Sequence, residues 1–209
     1  MNLFNQYKQI VFFDVETTGL SPYQNEIIEL GACTVISKED KYIVSDKISL
    51  IINVNKPLPP KIIEITNITD DMIKKGVHEE SLFITMQTLV QPGTLLVAYN
   101  LPFDLSFFMA LFKKYKSPVD VFDQVDYLDM LTVYRAKHEY PHKLDNAVEK
   151  YAVKVKNTHR ALDDALATFE LFKNMSEIHN LESFINVIGY KAKYPFKGTK
   201  LNKITYIPQ

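Results

Sequence analysis

An apolar segment near the start of the chain ends in two acidic residues, and this arrangement limits the folds open to the sequence. Residues 9–15 form a short run of mostly bulky apolar side chains that includes Asp14, and Glu16 and the turn Thr17-Thr18-Gly19 follow it. A run of this length and composition predicts a buried strand. Asp14 and Glu16 stand two residues apart, so both side chains point to the same face. The strand therefore carries a pair of carboxylates at its end.

The remaining segments predict strands first, and then alternating helices and strands. Two β-rich runs, Glu26–Ile36 and Tyr42–Ile52, are separated by a charged turn, which favours an antiparallel meander with the first strand. Further strands are predicted at residues 94–98 and 119–122, and helices at residues 81–90, 104–114, 127–137, 143–151, 161–175 and 177–187. This order predicts an α/β fold in which a mixed five-stranded sheet is flanked by helices.

Length and composition exclude several classes of protein. With 209 residues, 46% hydrophobic and 23% charged, the chain is long enough for one compact domain with a full core. Its net charge of −1 provides no basic field for coating DNA. Cys33 is the only cysteine, which excludes an intrachain disulfide and a cysteine zinc site.

Neither a signal peptide nor an apolar segment of membrane-spanning length is recognisable in the sequence. We therefore expect a cytoplasmic protein, of bacterial or viral origin, that has no membrane partner. The expected location does not by itself indicate which reaction the protein catalyses.

The last part of the chain differs in composition from the rest. Residues 183–209 contain no acidic residue, and we predict a domain at residues 1–180 followed by a basic, aromatic extension at residues 181–209. The lysines and aromatic residues of this extension are Lys191, Lys193, Lys197, Lys200, Lys203, Tyr190, Tyr194, Phe196 and Tyr206. Such a mixture can bind single-stranded nucleic acid by charge and stacking. A solvated tail or an edge strand is the simpler interpretation.

Two further acidic residues occur at positions where a carboxylate can reach the first pair. Asp104 follows Asn100-Leu101-Pro102-Phe103 at a strand-to-helix junction, where a helix N-cap is the competing interpretation. Asp164 shares a helical face with small residues such as Ala161 and Ala165, so this face can lie close against the sheet. A carboxylate in that position is unfavourable unless it has a partner.

Four converging carboxylates predict a site for divalent cations. Carboxylates brought together repel each other, and their pKa values rise unless cations neutralise them. Mg²⁺ and Mn²⁺ prefer hard oxygen ligands, and two such ions about 3.5–4 Å apart can stabilise the entering and leaving oxygens of phosphodiester hydrolysis. His159 stands just before the helix of Asp164, where it can accept a proton from the attacking water.

The other histidines predict no such chemistry. His138-Glu139-Tyr140-Pro141-His142 matches the letters of the zinc-protease motif H-E-x-x-H, which requires both histidines on one face of an unbroken helix. Pro141 is incompatible with a continuous helix, so we reject a zinc site. His78 and His179 have no sequence neighbours that suggest catalysis.

Three motifs together resemble those of the DEDDh exonucleases, the family of the proofreading epsilon subunit and of the exonuclease domain of PolC-type bacterial polymerases. The motifs are residues 14–19, Phe103-Asp104 and His159-Arg160-Ala161-Leu162-Asp163-Asp164. Residues 65–69 and 142–145 are similar to further family features, and the resemblance covers about residues 10–175. One departure is Asn67, which stands where relatives commonly have glycine. Asparagine tolerates a positive φ, so we expect the turn to persist.

The resemblance implies an RNase H-like fold and assigns a role to each motif residue. It implies two divalent metal ions, Mg²⁺ or Mn²⁺, with His159 as the general base. The implied metal ligands are Asp14, Glu16, Asp104 and Asp164. The implied contacts to the 3′-terminal nucleotide are Thr17, Leu20 and Phe103, and the turn at Gly19 allows a close backbone approach.

These observations predict a 3′–5′ exonuclease that releases nucleoside 5′-monophosphates from the 3′ ends of mostly single-stranded DNA, in proofreading or repair. A DNA polymerase is the expected protein partner if the chain takes part in proofreading. Two alternatives stay open at this point. One is a 3′–5′ exoribonuclease, and the other is a non-catalytic module that binds nucleic acid or assists a polymerase.

Overall fold

The predicted mixed sheet of five strands is present. The computed structural model describes residues 6–38, 41–155, 159–191, 193 and 200–209. The strands of the main sheet are β1 Gln9–Thr17, β2 Ile27–Lys38, β3 Lys41–Ile51, β4 Thr94–Ala98 and β5 Asp126–Asp129. They lie in the order β3-β2-β1-β4-β5. β1, β2 and β3 form the predicted antiparallel meander, whereas β4 and β5 add in parallel beside β1.

Helices cover both faces of this sheet because β1 buries side chains on both sides. The helices are α1 Pro60–Thr66, α2 Asp70–Lys74, α3 Glu79–Leu89, α4 Leu101–Lys114, α5 Met130–Arg135, α6 Leu144–Lys150 and α7 Ala161–Ser176. On one face Phe13 contacts Phe108 of α4, with ring centroids 4.7 Å apart. On the other face Phe12 contacts Phe169 of α7 at 5.1 Å. The alternation of apolar side chains along β1 thus fixes α4 and α7 on opposite sides of the strand.

Some predicted elements are wrong in position or type. Residues 120–123 form a 3₁₀ helix rather than a strand, and the fifth strand is β5, which occupies the start of the helix predicted at residues 127–137. The helix predicted at residues 177–187 is also wrong, since only residues 182–184 form a helical turn. The helices α1 and α2 were not predicted. The error at the fifth strand arises because β5 is selected by pairing with β4, about 30 residues away in sequence.

Several of the described residues after 180 are packed against the rest of the fold. Strands β6 Val187–Tyr190 and β7 Thr205–Pro208 form a separate parallel pair. Ile188, Leu201 and Ile204 are buried in the same hydrophobic cluster as the α4 face of β1. Of the two simpler interpretations, a solvated tail is therefore wrong for these buried residues, whereas strands do form in this part of the chain. Tyr194, Phe196 and Lys197 lie outside the described residues, and a functional boundary at residue 180 stays a prediction.

Candidate active site

Three of the four predicted carboxylates converge at one end of β1. Asp14 and Glu16 flank the buried Val15 near the end of the strand, and Asp164 lies in the first turns of α7. One carboxylate oxygen from each of the three residues lies within 4.8 Å of the others. The two-residue period of β1 places the first pair on one face, and α7 packs against that face through its small residues.

Asp104 joins this group through the backbone of β1. It lies in the first turn of α4, is 1% exposed, and its Oδ1 accepts a hydrogen bond of 3.0 Å from the N–H of Val15. The N-cap of α4 is Asn100, so the alternative interpretation of Asp104 as an N-cap is wrong. The bond to Val15 fixes the Asp104 carboxylate beside β1, close enough for its charge to raise the pKa of Asp14.

The arrangement is electrostatically unfavourable without a cation. Burial raises the pKa of Asp14 well above its usual range, and the charges of Asp104, Glu16 and Asp164 raise it further. Burial also raises the pKa of Asp104, although the hydrogen bond from Val15 opposes this shift. For Glu16, burial and the charges of Asp164 and Glu29 raise the pKa to about 8, while the Arg160 cation lowers it. Clustered oxygen donors of this kind fit a hard divalent cation.

His159 lies at the entrance to α7. Its φ of 56° is in the left-handed region, and Arg160, the N-cap of α7, follows it. His159 therefore lies just outside α7, and Asp164 follows five residues later within the helix. The histidine thus lies on the same chain segment as Asp164, one of the clustered carboxylates, and its role as general base stays a prediction.

The loop that follows β1 is held by its own threonines. The Thr17 Oγ1 donates a hydrogen bond of 2.7 Å to the carbonyl of Gly19, and the Thr18 Oγ1 accepts one of 3.0 Å from the N–H of Glu26. The loop leaves Leu20 85% exposed. Phe103 is partly buried, with its ring 5.2 Å from that of Phe107. Leu20 and Phe103 can thus offer apolar surface to a nucleotide.

The histidines of the H-E-x-x-H match make structural contacts instead. The segment from residue 136 to residue 143 is not helical. The His138 Nε2 is hydrogen-bonded to the hydroxyl of Tyr151 at 2.8 Å, and the His142 Nε2 to the carbonyl of His138 at 2.9 Å. The helical context that a zinc-protease motif requires is therefore missing.

Three residues near the site were not predicted from the sequence. Glu29 on β2 is fully buried and forms an ion pair of 2.7 Å with Arg160. Asp129 at the end of β5 accepts hydrogen bonds of 3.1 Å from the N–H groups of Asn100 and Leu101 at the start of α4. The available signal for Glu29 was a charged residue inside the apolar run of β2. Asp129, which lies in a segment predicted as a helix, gave no comparable signal.

An α/β sheet that gathers carboxylates at the end of its central strand offers a site that could hold a metal ion, and comparison with known proteins identifies the family. The exonuclease family model RNase_T matches residues 11–172. The DNA polymerase III subunit epsilon of Treponema pallidum is 31% identical over 182 residues, which cover 85% of this chain and 81% of that protein. The chain belongs to the exonuclease family, and the predicted resemblance is confirmed.

Other relatives are much longer than this chain. The PolC-type DNA polymerase III of Caldanaerobacter subterraneus is 35% identical over 173 residues, which cover 81% of this chain and 12% of that protein. The PolC-type relative from Listeria monocytogenes is 32% identical over 202 residues, with 90% of this chain and 13% of that protein covered. The chain thus spans about an eighth of the length of these relatives.

Solved structures show the same fold. E. coli exonuclease I in complex with a dA16 oligonucleotide has a TM-score of 0.71 at 20% identity, with 81% of this chain and 41% of that chain covered. The zinc-bound complex of the same enzyme with single-stranded DNA has a TM-score of 0.74 at 20% identity, with 86% and 43% covered. The predicted RNase H-like fold is confirmed. Among the residues that the structure describes, no helix is long and apolar enough to cross a membrane.

Proposed function

We propose that this chain is a metal-dependent 3′–5′ exonuclease that removes nucleoside 5′-monophosphates from the 3′ ends of mostly single-stranded DNA. The observation that carries the proposal is the cluster of Asp14, Glu16 and Asp164, within 4.8 Å of one another, in a chain of the exonuclease family. The buried Asp104, bonded to Val15, completes the set of carboxylates. A complete set favours an enzyme over a non-catalytic binding module.

The carboxylates are proposed to hold two divalent cations, Mg²⁺ or Mn²⁺. Bound cations would neutralise the charge that develops on the scissile phosphate and on the leaving 3′ oxygen. His159 is the proposed general base that removes the proton of the attacking water. The proposed contacts to the 3′-terminal nucleotide are Thr17, Gly19, Leu20 and Phe103.

Several findings support DNA rather than RNA as the substrate. The matching relatives are named as DNA polymerase III proteins, and exonuclease I was solved in complex with DNA oligonucleotides. The same relatives support a DNA polymerase as the partner in proofreading, since one of them is named as a polymerase subunit. RNA is the alternative substrate that the experiment has to compare.

The test uses oligonucleotides of matched sequence in DNA and RNA, labelled at the 5′ end and incubated with Mg²⁺, Mn²⁺ or EDTA. We expect a metal-dependent ladder that shortens from the 3′ end, faster on DNA, and no reaction when the 3′ hydroxyl is blocked. Release of the labelled 5′ nucleotide at the start of the reaction would contradict the direction, and a faster RNA ladder would contradict the substrate. No degradation of either strand would contradict the enzyme assignment.

The matched variants are Asp14→Asn and Asp71→Asn. Asp14→Asn removes the negative charge of one proposed metal ligand. Loss of a residue that only orients a metal ligand costs about 10–100-fold, so we expect activity to fall by more than about 100-fold here. Asp71 is an exposed carboxylate paired with Lys74 on α2, and its variant should keep full activity. Equal activity of Asp14→Asn and the wild type would show that the reaction belongs to a contaminant or to another site.

A further inference from the structure

A fifth carboxylate lies beside the site and points at α7. Glu29 on β2 pairs in register with Glu16 on β1 and is fully buried. The Arg160 Nε donates to both of its oxygens at 3.1 Å, and the Arg160 Nη2 donates to Oε1 at 2.7 Å. The N–H of Ala161 donates to Oε2 at 3.0 Å. Four hydrogen bonds from two consecutive residues thus end on one carboxylate.

These contacts replace a local N-cap. The side chain of Arg160 makes no capping hydrogen bond at the start of α7, and the first free N–H of the helix is instead satisfied by Glu29 from another strand. A carboxylate at the positive end of a helix is favourable. The planar guanidinium of Arg160 also fixes the orientation of the Glu29 carboxylate through several hydrogen bonds, which the ammonium group of a lysine would not do.

The same turn of α7 lies directly on β2. A Cβ atom at Gly31 would come within 2.0 Å of the Ala161 carbonyl carbon and of the Leu162 nitrogen, so the helix backbone occupies the space of a side chain. The N–H of Asp164 bonds to the Arg160 carbonyl at 3.0 Å. The backbone turn that carries the metal-binding Asp164 is therefore attached to the sheet at Glu29.

We propose that Glu29 and Arg160 are positioning residues that hold the first turn of α7, and with it Asp164 and His159, against the carboxylates of β1. Neither residue is proposed as a ligand of the cations or as a contact to the nucleotide, and the proposal rests on the proposed function of the same site. A buried ion pair contributes little net stability compared with apolar packing. The pair is therefore proposed to act by orienting the first turn of α7 rather than by stabilising the fold. Metal sites depend strongly on the residues that orient their ligands.

The variants for the test are Glu29→Gln and Arg160→Lys. Glu29→Gln keeps the size of the side chain and removes its charge, whereas Arg160→Lys keeps the cation and loses the fork. Glu170→Gln is the matched control, since it removes an ion pair of 2.9 Å with Lys173 on the same helix, away from its first turn. The measurements are Mn²⁺ affinity by electron paramagnetic resonance, kcat and KM on a short DNA oligonucleotide, and amide hydrogen exchange of residues 161–164.

We expect Glu29→Gln and Arg160→Lys to weaken Mn²⁺ binding and to lower kcat by about 10–100-fold. KM should stay within about twofold of the wild type, because oligonucleotide contacts are unchanged, and exchange should accelerate at residues 161–164 alone. Glu170→Gln should match the wild type in all three measurements.

Unchanged Mn²⁺ affinity and kcat in both folded variants would overturn the proposal. Unfolding of both variants would also overturn it, since the pair would then be a stability element. If the wild type binds Mn²⁺ and degrades no oligonucleotide, the proposed function fails while Mn²⁺ affinity still decides the role of the pair.

Discussion

At the scale of single residues, the site is defined by carboxylates that are held close together against their electrostatic preference. The peptide N–H of Val15 fixes Asp104, while β1 and α7 bring three further carboxylates to within 4.8 Å. Burial raises the pKa of Asp14, Glu16 and Asp104. The carboxylates therefore repel one another when they are ionised, and bound divalent cations would reduce this repulsion.

One consequence concerns the stability of the metal-free protein. The pKa of Glu16 rises from 4.5 to about 8 in the folded state, so the folded state binds a proton that the unfolded state releases. The contribution of protonated Glu16 to stability is complete below pH 4.5 and is lost as the pH rises through about 8. We expect the melting temperature in EDTA to fall over this range more steeply than that of Glu16→Gln.

Adding Mg²⁺ or Mn²⁺ at pH 8 should restore the melting temperature of the wild type and leave that of Glu16→Gln less changed, since binding to the folded state alone stabilises it. Parallel pH profiles for the two proteins in EDTA would show that Glu16 keeps an ordinary pKa.

His159 provides a second prediction for a single residue. If it is the general base, His159→Ala should lower kcat by about 10²–10⁴-fold and leave Mn²⁺ affinity close to that of the wild type. The control is His78→Ala, because His78 is exposed and makes no capping bond at α3. A loss of less than about threefold for His159→Ala, or an equal loss for the control, would assign the proton transfer to another group.

At the scale of elements, the N–H groups at the starts of helices α4 and α7 donate hydrogen bonds to carboxylates on strands of the sheet. Asp129 serves α4 and also caps α5, where the N–H groups of Leu131 and Thr132 donate to it at 3.3 and 3.2 Å. Glu29 serves α7 in the same way. Since α4 carries Asp104 and α7 carries Asp164, both helices that bring a carboxylate to the site are oriented from the sheet.

The importance of Asp129 can be measured through stability. Asp129→Ala would leave several buried N–H groups without a partner, and one such group costs about 1–3 kcal/mol. We expect a loss of at least about 2 kcal/mol in the free energy of unfolding in urea. Asp145→Ala, at the partly exposed first turn of α6, is the control and should change stability by less than about 0.5 kcal/mol. Similar losses in the two variants would contradict the role of Asp129.

At the scale of the whole molecule, the described residues after 180 complete the fold around β5. Asp126 at the start of β5 accepts hydrogen bonds from Tyr7 at 2.9 Å and Asn186 at 2.9 Å, and it forms an ion pair of 2.7 Å with Lys203. Burial raises its pKa, but these three donors together lower it below the usual value. Residues from both ends of the described chain thus meet at one strand.

Truncation after residue 180 tests this arrangement. Removing the buried Ile188, Leu201 and Ile204 would expose the apolar surface that they cover, and each buried aliphatic side chain contributes about 1.5–3 kcal/mol. We expect the truncated chain to melt at a lower temperature and to bind a hydrophobic dye. An unchanged melting temperature would show that residues 181–209 are a separable unit, as their composition alone predicts.

Most of the carboxylate cluster was predictable because its members belong to local patterns. The strand period places Asp14 and Glu16 together, and the small-residue face of α7 identifies Asp164. The meander and β4 were predicted for the same reason, since their apolar runs and turns are contiguous. Asp104 was predicted as a site residue, although the start of α4 at Leu101 rather than at Asp104 was not.

What the amino-acid order alone could not decide depends on partners that are distant along the chain. Residues 119–122 were predicted as a strand and residues 127–137 as a helix, yet pairing with β4 makes residues 126–129 the strand. Glu29 lies 132 residues from Ala161, so no local pattern reveals that it caps α7. The local preference for helix or strand depends on neighbouring residues. The choice between two possible strands, and the capping of a helix by a residue of another strand, depend on contacts that form only in the folded structure.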